Sequence, residues 1–314
     1  FLVTDLTNVR YLTELPLSFA VVLVTTRQMK LFTDDRYLEN ARRKVRTGVL
    51  VCDISRLKGA LQRLQQCGFE SETVTVSQLR SWKRKYPNTK FVRTEGVLQE
   101  FRRQKDSSEI RAFRVAQKIT KKMLARVPVA LRSCPTEREL AWMLRSWAQE
   151  LGAEELSFDP VVAYGSHSSS PHHHPTNKRL IKGQIVQIDV GARYRGYCAD
   201  QSAVFFTGKK TKQQQKVLDA VSEAKKKSIE AIKVGVTTAE LDQIARTVLA
   251  SHGFEKYFTH ALGHGVGLDI HEGVTLSSKS EGETLLKNEI ITIEPGVYIP
   301  GKFGIRLEEE IIVA

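Results

Sequence analysis

Two strand-like runs that each carry one aspartate constrain the fold of this chain most. Residues 184–190 and 197–206 are rich in β-branched and aromatic side chains, and residues 193–196 between them predict a hairpin turn. With the turn centred in the middle of that segment, Asp189 lies directly opposite Asp200, with Cβ atoms about 4.5–5.5 Å apart. Carboxylates that close repel each other, and two divalent metal ions about 3.5–4 Å apart would hold them together. For this pair alone, two solvated acids on the wet face of a hairpin is an equally good interpretation.

The length and composition are those of a globular protein with two domains of ordinary size. The chain has 314 residues, of which 41% are hydrophobic, enough for a sizeable core in each domain. The apolar run at residues 19–24 is far too short to span a bilayer, and no signal-peptide pattern opens the sequence. Because the chain starts at Phe1 and stops in an apolar strand at Ala314, we expect a few residues to be missing from each end.

The four cysteines show no paired spacing and no C-x-x-C motif. This pattern favours neither a disulfide framework nor a thiolate zinc site. A reducing, cytoplasmic setting without a membrane partner fits it best.

The net charge of +13, from 48 Lys and Arg against 35 Asp and Glu, raises the question of nucleic-acid binding. The basic runs are scattered over several predicted elements, and no aromatic-interleaved basic stripe is present. We therefore expect a solvated basic surface and no nucleic-acid partner.

The first third of the chain alternates short apolar runs with amphipathic ones. Strand-like and helical segments follow each other at residues 20–25, 29–32, 37–44, 49–53 and 57–66. This alternation predicts a small α/β domain. We place it at residues 1–105, with a polar linker near residues 98–108.

The remainder, residues 106–314, repeats one order of elements. A helix begins at about Glu109, and Thr136 with Glu139 forms the capping-box signature of a second helix. Helical or strand-like spacing returns at residues 213–233, 237–249, 289–294 and 304–313. Two helices, a histidine-bearing loop and a strand pair thus occur twice, which indicates a domain of two related halves.

Further acids lie in the second half of this domain. Glu294 ends an apolar strand, and alternation along a later strand puts Arg306, Glu308 and Glu310 on one face.

Histidines accompany these acids. His264 lies in a glycine-rich loop whose backbone can approach a site closely, although a satisfied structural histidine would explain that loop taken alone. His271 follows it, and residues 172–174 are three adjacent histidines. Such a run is more often exposed than functional, but one ring pointing inward would be enough.

Five short motifs make the chain resemble a known superfamily. In chain order they are I-D-V-G, C-A-D-Q-S, L-G-H-G-V-G, I-E-P-G and R-L-E-E-E, and they resemble the dinuclear metallopeptidases of the creatinase and methionine aminopeptidase superfamily. Within it the chain resembles the Xaa-Pro branch, aminopeptidase P and prolidase, and segments 8–13 and 33–37 extend the likeness to the first domain. The resemblance implies an α+β fold, with a pita-bread catalytic domain and a smaller α/β creatinase-like N-terminal domain. It implies five metal ligands: Asp189, Asp200, His264, Glu294 and Glu308.

The same resemblance implies the residues that act beside the metals. They are His172 of the P-H-H motif, the active-site histidines His260 and His271, and the motif arginine Arg306. The chain departs from the family pattern twice. Ser202-Ala203 stands where the family usually has Thr-Arg, and Glu309 stands where it usually has Asp. Neither departure removes a ligand, but the first affects what supports the ligands and hence metal affinity.

Four carboxylates and one imidazole form an oxygen-rich site that favours Mn²⁺, with Co²⁺, Zn²⁺ and Fe²⁺ as alternatives. A water bridging two such ions would lose a proton near neutral pH and attack a peptide carbonyl. Glu294 is the candidate to carry the proton to the leaving nitrogen, with His172 and His271 donating to the substrate. The proline nitrogen carries no hydrogen, so a peptidase that must hydrogen-bond an N–H at that position cannot bind and cleave the Xaa-Pro bond.

These features predict an exopeptidase that removes a first residue from a following proline, in a protein that the resemblance implies is a homodimer. We favour aminopeptidase P, which accepts longer peptides, over prolidase. A non-enzyme alternative is a pita-bread protein that binds polyanions or proteins through its positive surface, but such relatives generally lose metal ligands. A metal-free hydrolase of the creatinase type is a third alternative, and the full set of carboxylates argues against it.

Overall fold

The computed structural model describes residues 1–280 and 282–314 of the chain. These residues divide into two units, Phe1–Arg102 and Arg103–Ala314. In the part of the chain described, no helix is long and apolar enough to cross a membrane. The first elements are β1 Leu2–Val3, α1 Leu6–Thr13, β2 Val21–Val24, β3 Met29–Thr33, α2 Asp35–Lys44, β4 Val49–Asp53, α3 Leu57–Gln62, β5 Gln66–Glu70, α4 Val76–Lys85, β6 Lys90–Thr94 and α5 Val97–Arg103.

A mixed six-stranded sheet in the order β4-β3-β2-β1-β5-β6 organises the first unit. Strand alternation sends Leu2 and Val3 into different apolar clusters. One cluster includes Ala41 of α2 and the other Leu61 of α3. The expected α/β character of this part of the chain is confirmed, although the segment predicted as a polar linker begins inside helix α5.

The second unit opens with two helices and continues with strands. Its elements are α6 Ser107–Ala130, α7 Glu137–Glu150, β7 Glu155–Leu156, β8 Val161–Tyr164, β9 Ile185–Val190, β10 Ala192–Tyr194, β11 Tyr197–Cys198, β12 Gln201–Phe206, α8 Lys212–Glu230, α9 Thr238–Ser251, β13 Gly263–His264, β14 Thr275–Leu276, β15 Ile290–Ile293, β16 Gly296–Ile299, β17 Phe303–Arg306 and β18 Glu309–Ile312. The predicted capping box of Thr136 and Glu139 is confirmed at the start of α7.

Two large apolar clusters stabilise the two halves of this unit. One joins α6 and α7 to β8 and β9, and the other joins α8 and α9 to β15, β16 and β17. The strands pair in the orders β12-β9-β8, β11-β10-β7, β13-β14, β15-β18 and β16-β17. The run 304–313, expected as one strand, is two strands with different partners, β16 for β17 and β15 for β18. Glu308 lies at the break between them.

The predicted register of the aspartate hairpin is wrong by two residues. Asp189 faces Ser202, and Tyr194 faces Tyr197 across a loop of Arg195 and Gly196. Both loop residues have positive φ, 50° and 86°, as a two-residue type I′ turn requires. The turn is therefore centred one residue later than expected, and Asp200 becomes a diagonal neighbour of Asp189 on the same face, at roughly 7–8 Å.

Candidate functional site

The acids and histidines singled out in the sequence converge on one cleft of about 480 Å³ in the second unit. Most of them lie at strand ends, where the backbone turns away and the side chain is presented to the cleft. The cleft is lined by eight of the nine candidates: His172, Asp189, Asp200, His260, His264, His271, Glu294 and Arg306. The ninth, Glu308, is buried, and its carboxylate lies within 4.8 Å of ligand atoms of Asp200 and His264.

His264 lies between carboxylates from both halves of the unit. Its Nε2 is 3.5 Å from Asp200 Oδ2 and 3.5 Å from Glu294 Oε1. Its Nδ1 donates to the carbonyl of Gly265 at 3.1 Å, so the neutral ring turns the Nε2 lone pair toward the acids. Thr292 stabilises this arrangement, because its hydroxyl accepts from the His264 N–H and donates to Glu294.

Burial and mutual repulsion disturb the protonation of these groups. Burial, then the charges of neighbouring acids, raises the pKa of Asp200 and of Glu308 well above the usual range. Burial also raises the pKa of Glu294 to about 7, although Arg306 opposes the shift. The pKa of His264 falls to about 4, chiefly through burial. Packed acids that resist ionisation, next to a neutral imidazole, form a site whose charge a divalent cation would balance.

Unpaired oxygen atoms show that this donor set fits divalent metal ions. Among the residues that the structure describes, Asp189 Oδ1, Asp200 Oδ1 and Glu308 Oε1 are buried without a hydrogen-bond partner. A buried carboxylate oxygen without a donor is costly, and a cation removes that cost. Four carboxylates also balance the charge of two divalent ions, so the residues present fit the metals that the motifs imply.

Arg306 connects the cleft to the surrounding strands. Its guanidinium donates to Asp189 Oδ2 at 2.6 Å, to Ser202 Oγ at 2.7 Å and to the Tyr298 hydroxyl at 2.8 Å. Ser202 is one of the two departures from the family pattern, and its hydroxyl takes part in holding the arginine.

Gln187 is a supporting residue that the sequence did not single out. Its Oε1 accepts from the Arg306 backbone N–H at 2.9 Å, and its Nε2 donates to the Arg306 carbonyl at 3.1 Å. One buried amide therefore joins strand β9 to strand β17. The sequence feature that could have identified Gln187 is a polar residue inside the apolar run I-V-Q-I-D-V.

Glu310 is a second residue whose role was missed. The Asp200 N–H donates to Glu310 Oε1 at 2.7 Å, which fixes the backbone of a candidate ligand. Burial raises the pKa of Glu310 to about 8. Alternation along the strand had placed Glu310 on the same face as Glu308, and both side chains are buried.

The remaining histidines have separate environments. His260 donates through Nδ1 to the carbonyl of Ala261, so its Nε2 accepts from the Tyr298 hydroxyl at 3.0 Å. Burial lowers the pKa of His260 to about 4. The His271 ring lies 4.3 Å from the His264 ring, edge to face, whereas His172 is exposed at the cleft.

A site of four carboxylates and an imidazole, contributed by both halves of the unit, is typical of a metal-dependent hydrolase. Comparison with known proteins agrees: residues 111–314 match the model of metallopeptidase family M24, and residues 1–104 match the creatinase/prolidase N-terminal domain. The chain belongs to metallopeptidase family M24 and is a peptidase. The expected α+β fold, with its creatinase-like and pita-bread parts, is thereby confirmed, as is the resemblance on which it was based.

Relatives match nearly the whole chain. An Xaa-Pro dipeptidase of Pyrococcus horikoshii is 32% identical over 308 residues, covering 98% of this chain and 87% of that protein. Prolidase from Pyrococcus furiosus is 31% identical, with a TM-score of 0.91 over 100% of this chain and 93% of its own. An X-Pro aminopeptidase from Thermotoga maritima is 30% identical, with a TM-score of 0.93 over 99% and 92%.

Proposed function

We propose that this protein is a metal-dependent Xaa-Pro dipeptidase that hydrolyses the bond between a first residue and a following proline. The observation that carries the proposal is the set of buried, unpaired carboxylate oxygens around His264, in an M24 chain similar over nearly all its length to an Xaa-Pro dipeptidase. From the sequence we favour aminopeptidase P, whereas the named relatives support the prolidase alternative better. Aminopeptidase P stays the second candidate because of the Thermotoga maritima structure.

The proposed ligands are Asp189, Asp200, His264, Glu294 and Glu308, which would hold two divalent ions with Mn²⁺ preferred for its affinity for oxygen donors. Divalent cations held there supply Lewis acidity, which polarises the peptide carbonyl and acidifies water. We assign the ligand-bearing domain to residues 106–314 and the creatinase-like domain to residues 1–105.

Three side chains would move or place protons. Glu294, which lines the cleft, can take a proton at its carboxylate from the attacking water and return it to the proline nitrogen. That nitrogen needs the proton to leave as a secondary amine. His172 and His271 border the cleft and would donate hydrogen bonds to the substrate carbonyl.

Arg306 and His260 would support this chemistry without reacting. Arg306 orients Asp189 through the 2.6 Å hydrogen bond. His260 is a neutral ring held between Ala261 and Tyr298, and Tyr298 in turn accepts from Arg306.

Substrate length tests the proposal. Protein loaded with Mn²⁺ should hydrolyse Ala-Pro and leave Ala-Ala and Ala-Pro-Ala intact. Cleavage of the tripeptide with release of alanine would instead establish aminopeptidase P. If no Xaa-Pro peptide is cleaved with Mn²⁺, Co²⁺, Zn²⁺ or Fe²⁺ bound, the proposed function is wrong.

A further inference from the structure

Glu137, the first residue of helix α7, lies outside the cleft-lining set and is fully buried. Its carboxylate accepts five hydrogen bonds from one loop. Oε1 accepts from the Tyr164 N–H at 2.9 Å and from His167 Nδ1 at 2.8 Å. Oε2 accepts from His173 Nε2 at 3.0 Å and from Thr176, through its N–H at 2.9 Å and its hydroxyl at 2.6 Å. One side chain therefore fastens residues 164–176 at both ends and in the middle.

The ionised carboxylate of Glu137 selects which ring nitrogen of each histidine partner carries a proton. Burial alone would raise the pKa of Glu137, but hydrogen bonds from Thr176, His173 and the backbone lower it to about 2. An ionised carboxylate only accepts hydrogen bonds, so both ring nitrogens that face it carry protons. When neutral, His167 is therefore the Nδ1–H tautomer and His173 the Nε2–H tautomer.

The same loop carries His172 and is fastened on its other side by strand β17. The carbonyl of Pro171 accepts from Arg306 Nη1 at 3.2 Å, and Ser168 Oγ accepts from the Gly304 N–H at 2.9 Å. His172 follows Pro171 directly and precedes His173, so it stands between the two attachments.

We propose that Glu137 is a positioning residue that holds the histidine loop so that His172 is presented to the substrate. The proposal rests on the role of His172 in the proposed function. A buried acid that is remote in sequence from the proposed metal ligands would therefore set the position of the exposed His172 ring. Misplacing a catalytic group by about 1 Å can cost roughly 10²-fold in rate, which is the scale that this anchor would control.

A metal ion on Glu137, His167 and His173 is the competing explanation, since their ligand atoms lie within 4.8 Å of one another. The carboxylate, however, already accepts two backbone N–H groups and a hydroxyl. Both of its oxygens are satisfied by protein donors, so the cluster is complete without a cation.

Glu137→Gln tests the proposal because it keeps the shape but turns one acceptor oxygen into an amino group that faces N–H donors. We expect kcat to fall roughly 10- to 100-fold with little change in KM or in bound metal. In a His172→Ala background the same substitution should lower kcat almost no further, because both substitutions remove the same function, that of His172. Effects that multiply in the double variant, or a loss of metal together with activity, would overturn the proposal.

The matched control is Glu150→Gln, the same charge change on an exposed side chain at the far end of α7. It should leave kcat unchanged. If Glu137→Gln does not fold, Thr176→Val, which removes one of the five donors, should give a smaller loss of kcat of the same kind.

Imidazole ¹⁵N NMR supplies a measurement that does not need peptidase activity. Wild-type protein should show the two assigned tautomers, and Glu137→Gln should lose them and shift the His172 resonances. Unchanged His172 resonances would overturn the positioning role even if the enzyme proves to have another substrate. A metal ion bound in addition to those of the cleft, and lost in Glu137→Gln, would establish the competing explanation.

Discussion

Arg306 binds one oxygen of the Asp189 carboxylate and leaves the other unpaired. Arg306 Nη2 donates to Asp189 Oδ2 at 2.6 Å, while Asp189 Oδ1 is buried and has no hydrogen-bond partner among the described residues. One oxygen is thus held by the guanidinium, and the other is the atom that would bind a metal ion under the proposed function. The arginine therefore orients the carboxylate, which supports the proposed role of Asp189 as a metal ligand.

Arg306→Lys should weaken metal binding by roughly 10- to 100-fold, since supporting residues of metal ligands have effects of that size. A single ammonium cannot replace the planar group that reaches Asp189, Ser202 and Tyr298 together. Titration against a fluorescent chelator measures the change. Arg145→Lys, at an exposed ion pair with Asp159, is the control and should bind metal normally.

Asp200→Asn should abolish turnover and leave the metal-free fold at least as stable as wild type. Burial and the neighbouring acids already make the Asp200 carboxylate costly to ionise, and a neutral amide removes that cost. Urea unfolding in the presence of a chelator measures the stability, with the exposed substitution Asp219→Asn as control. Near-normal turnover would refute the assignment of Asp200 as a ligand.

The metal-free protein should lose stability as the pH rises from about 6.5 to about 8. The pKa values of Glu294 and Glu310 are raised to about 7 and about 8, against about 4.3 for an unfolded glutamate, so the folded state holds more protons in this range. Each such carboxyl contributes a loss of roughly 1.4 kcal/mol per pH unit until it ionises. Histidines with lowered pKa values act in the opposite direction, but only below about pH 6.5.

Urea unfolding at several pH values, with and without Mn²⁺, checks this prediction. Metal binds the ionised carboxylate of a ligand and replaces its proton, so the loaded protein should lose the part of the decline that comes from Glu294. The part that comes from Glu310, which is not among the proposed ligands, should remain. A metal-free protein whose stability stays constant or rises over the same range would show that the acids are not held protonated.

Local patterns in the sequence predicted the elements of the fold well, because capping boxes and periodicity act over a few residues. Thr136 with Glu139 and the helices that follow are examples. The predicted hairpin register was wrong because Arg195 has a positive φ, which arginine rarely adopts. The local sequence therefore did not favour a turn centred between Arg195 and Gly196 over one centred a residue earlier. The face shared by Asp189 and Asp200 was nevertheless correct, since a shift of the turn centre by one residue moves the opposing position by two.

The supporting contacts of the site could not be predicted in this way. Gln187 bonds to Arg306 across 119 residues of chain, and Glu310 bonds to Asp200 across 110. Such contacts depend on how two strand pairs meet, which no local period encodes. The motifs identified the residues that face the cleft, whereas the residues that hold them required the fold.

Arg195→Asn should stabilise the protein by roughly 1 kcal/mol without changing activity. Asparagine adopts the left-handed conformation more readily and, followed by Gly196, forms a preferred type I′ sequence. Arg195→Val should destabilise it, because a β-branched residue resists positive φ. Urea unfolding shows whether each variant is more or less stable than the wild-type protein. Neither residue of the turn lines the cleft, so turnover should stay at the wild-type rate in both variants.

Gln187→Met should destabilise the protein by about 1–3 kcal/mol and weaken metal binding as well. Methionine fills a similar volume but leaves the buried N–H and carbonyl of Arg306 without their shared partner, and an unmet buried group costs energy on that scale. With that link between β9 and β17 gone, Arg306 is held less firmly against Asp189. Gln215→Met, on the exposed face of α8, is the matched control. If stability falls while metal affinity is unchanged, Gln187 supports the sheet alone, and Arg306 is positioned by Ser202 and Tyr298 instead.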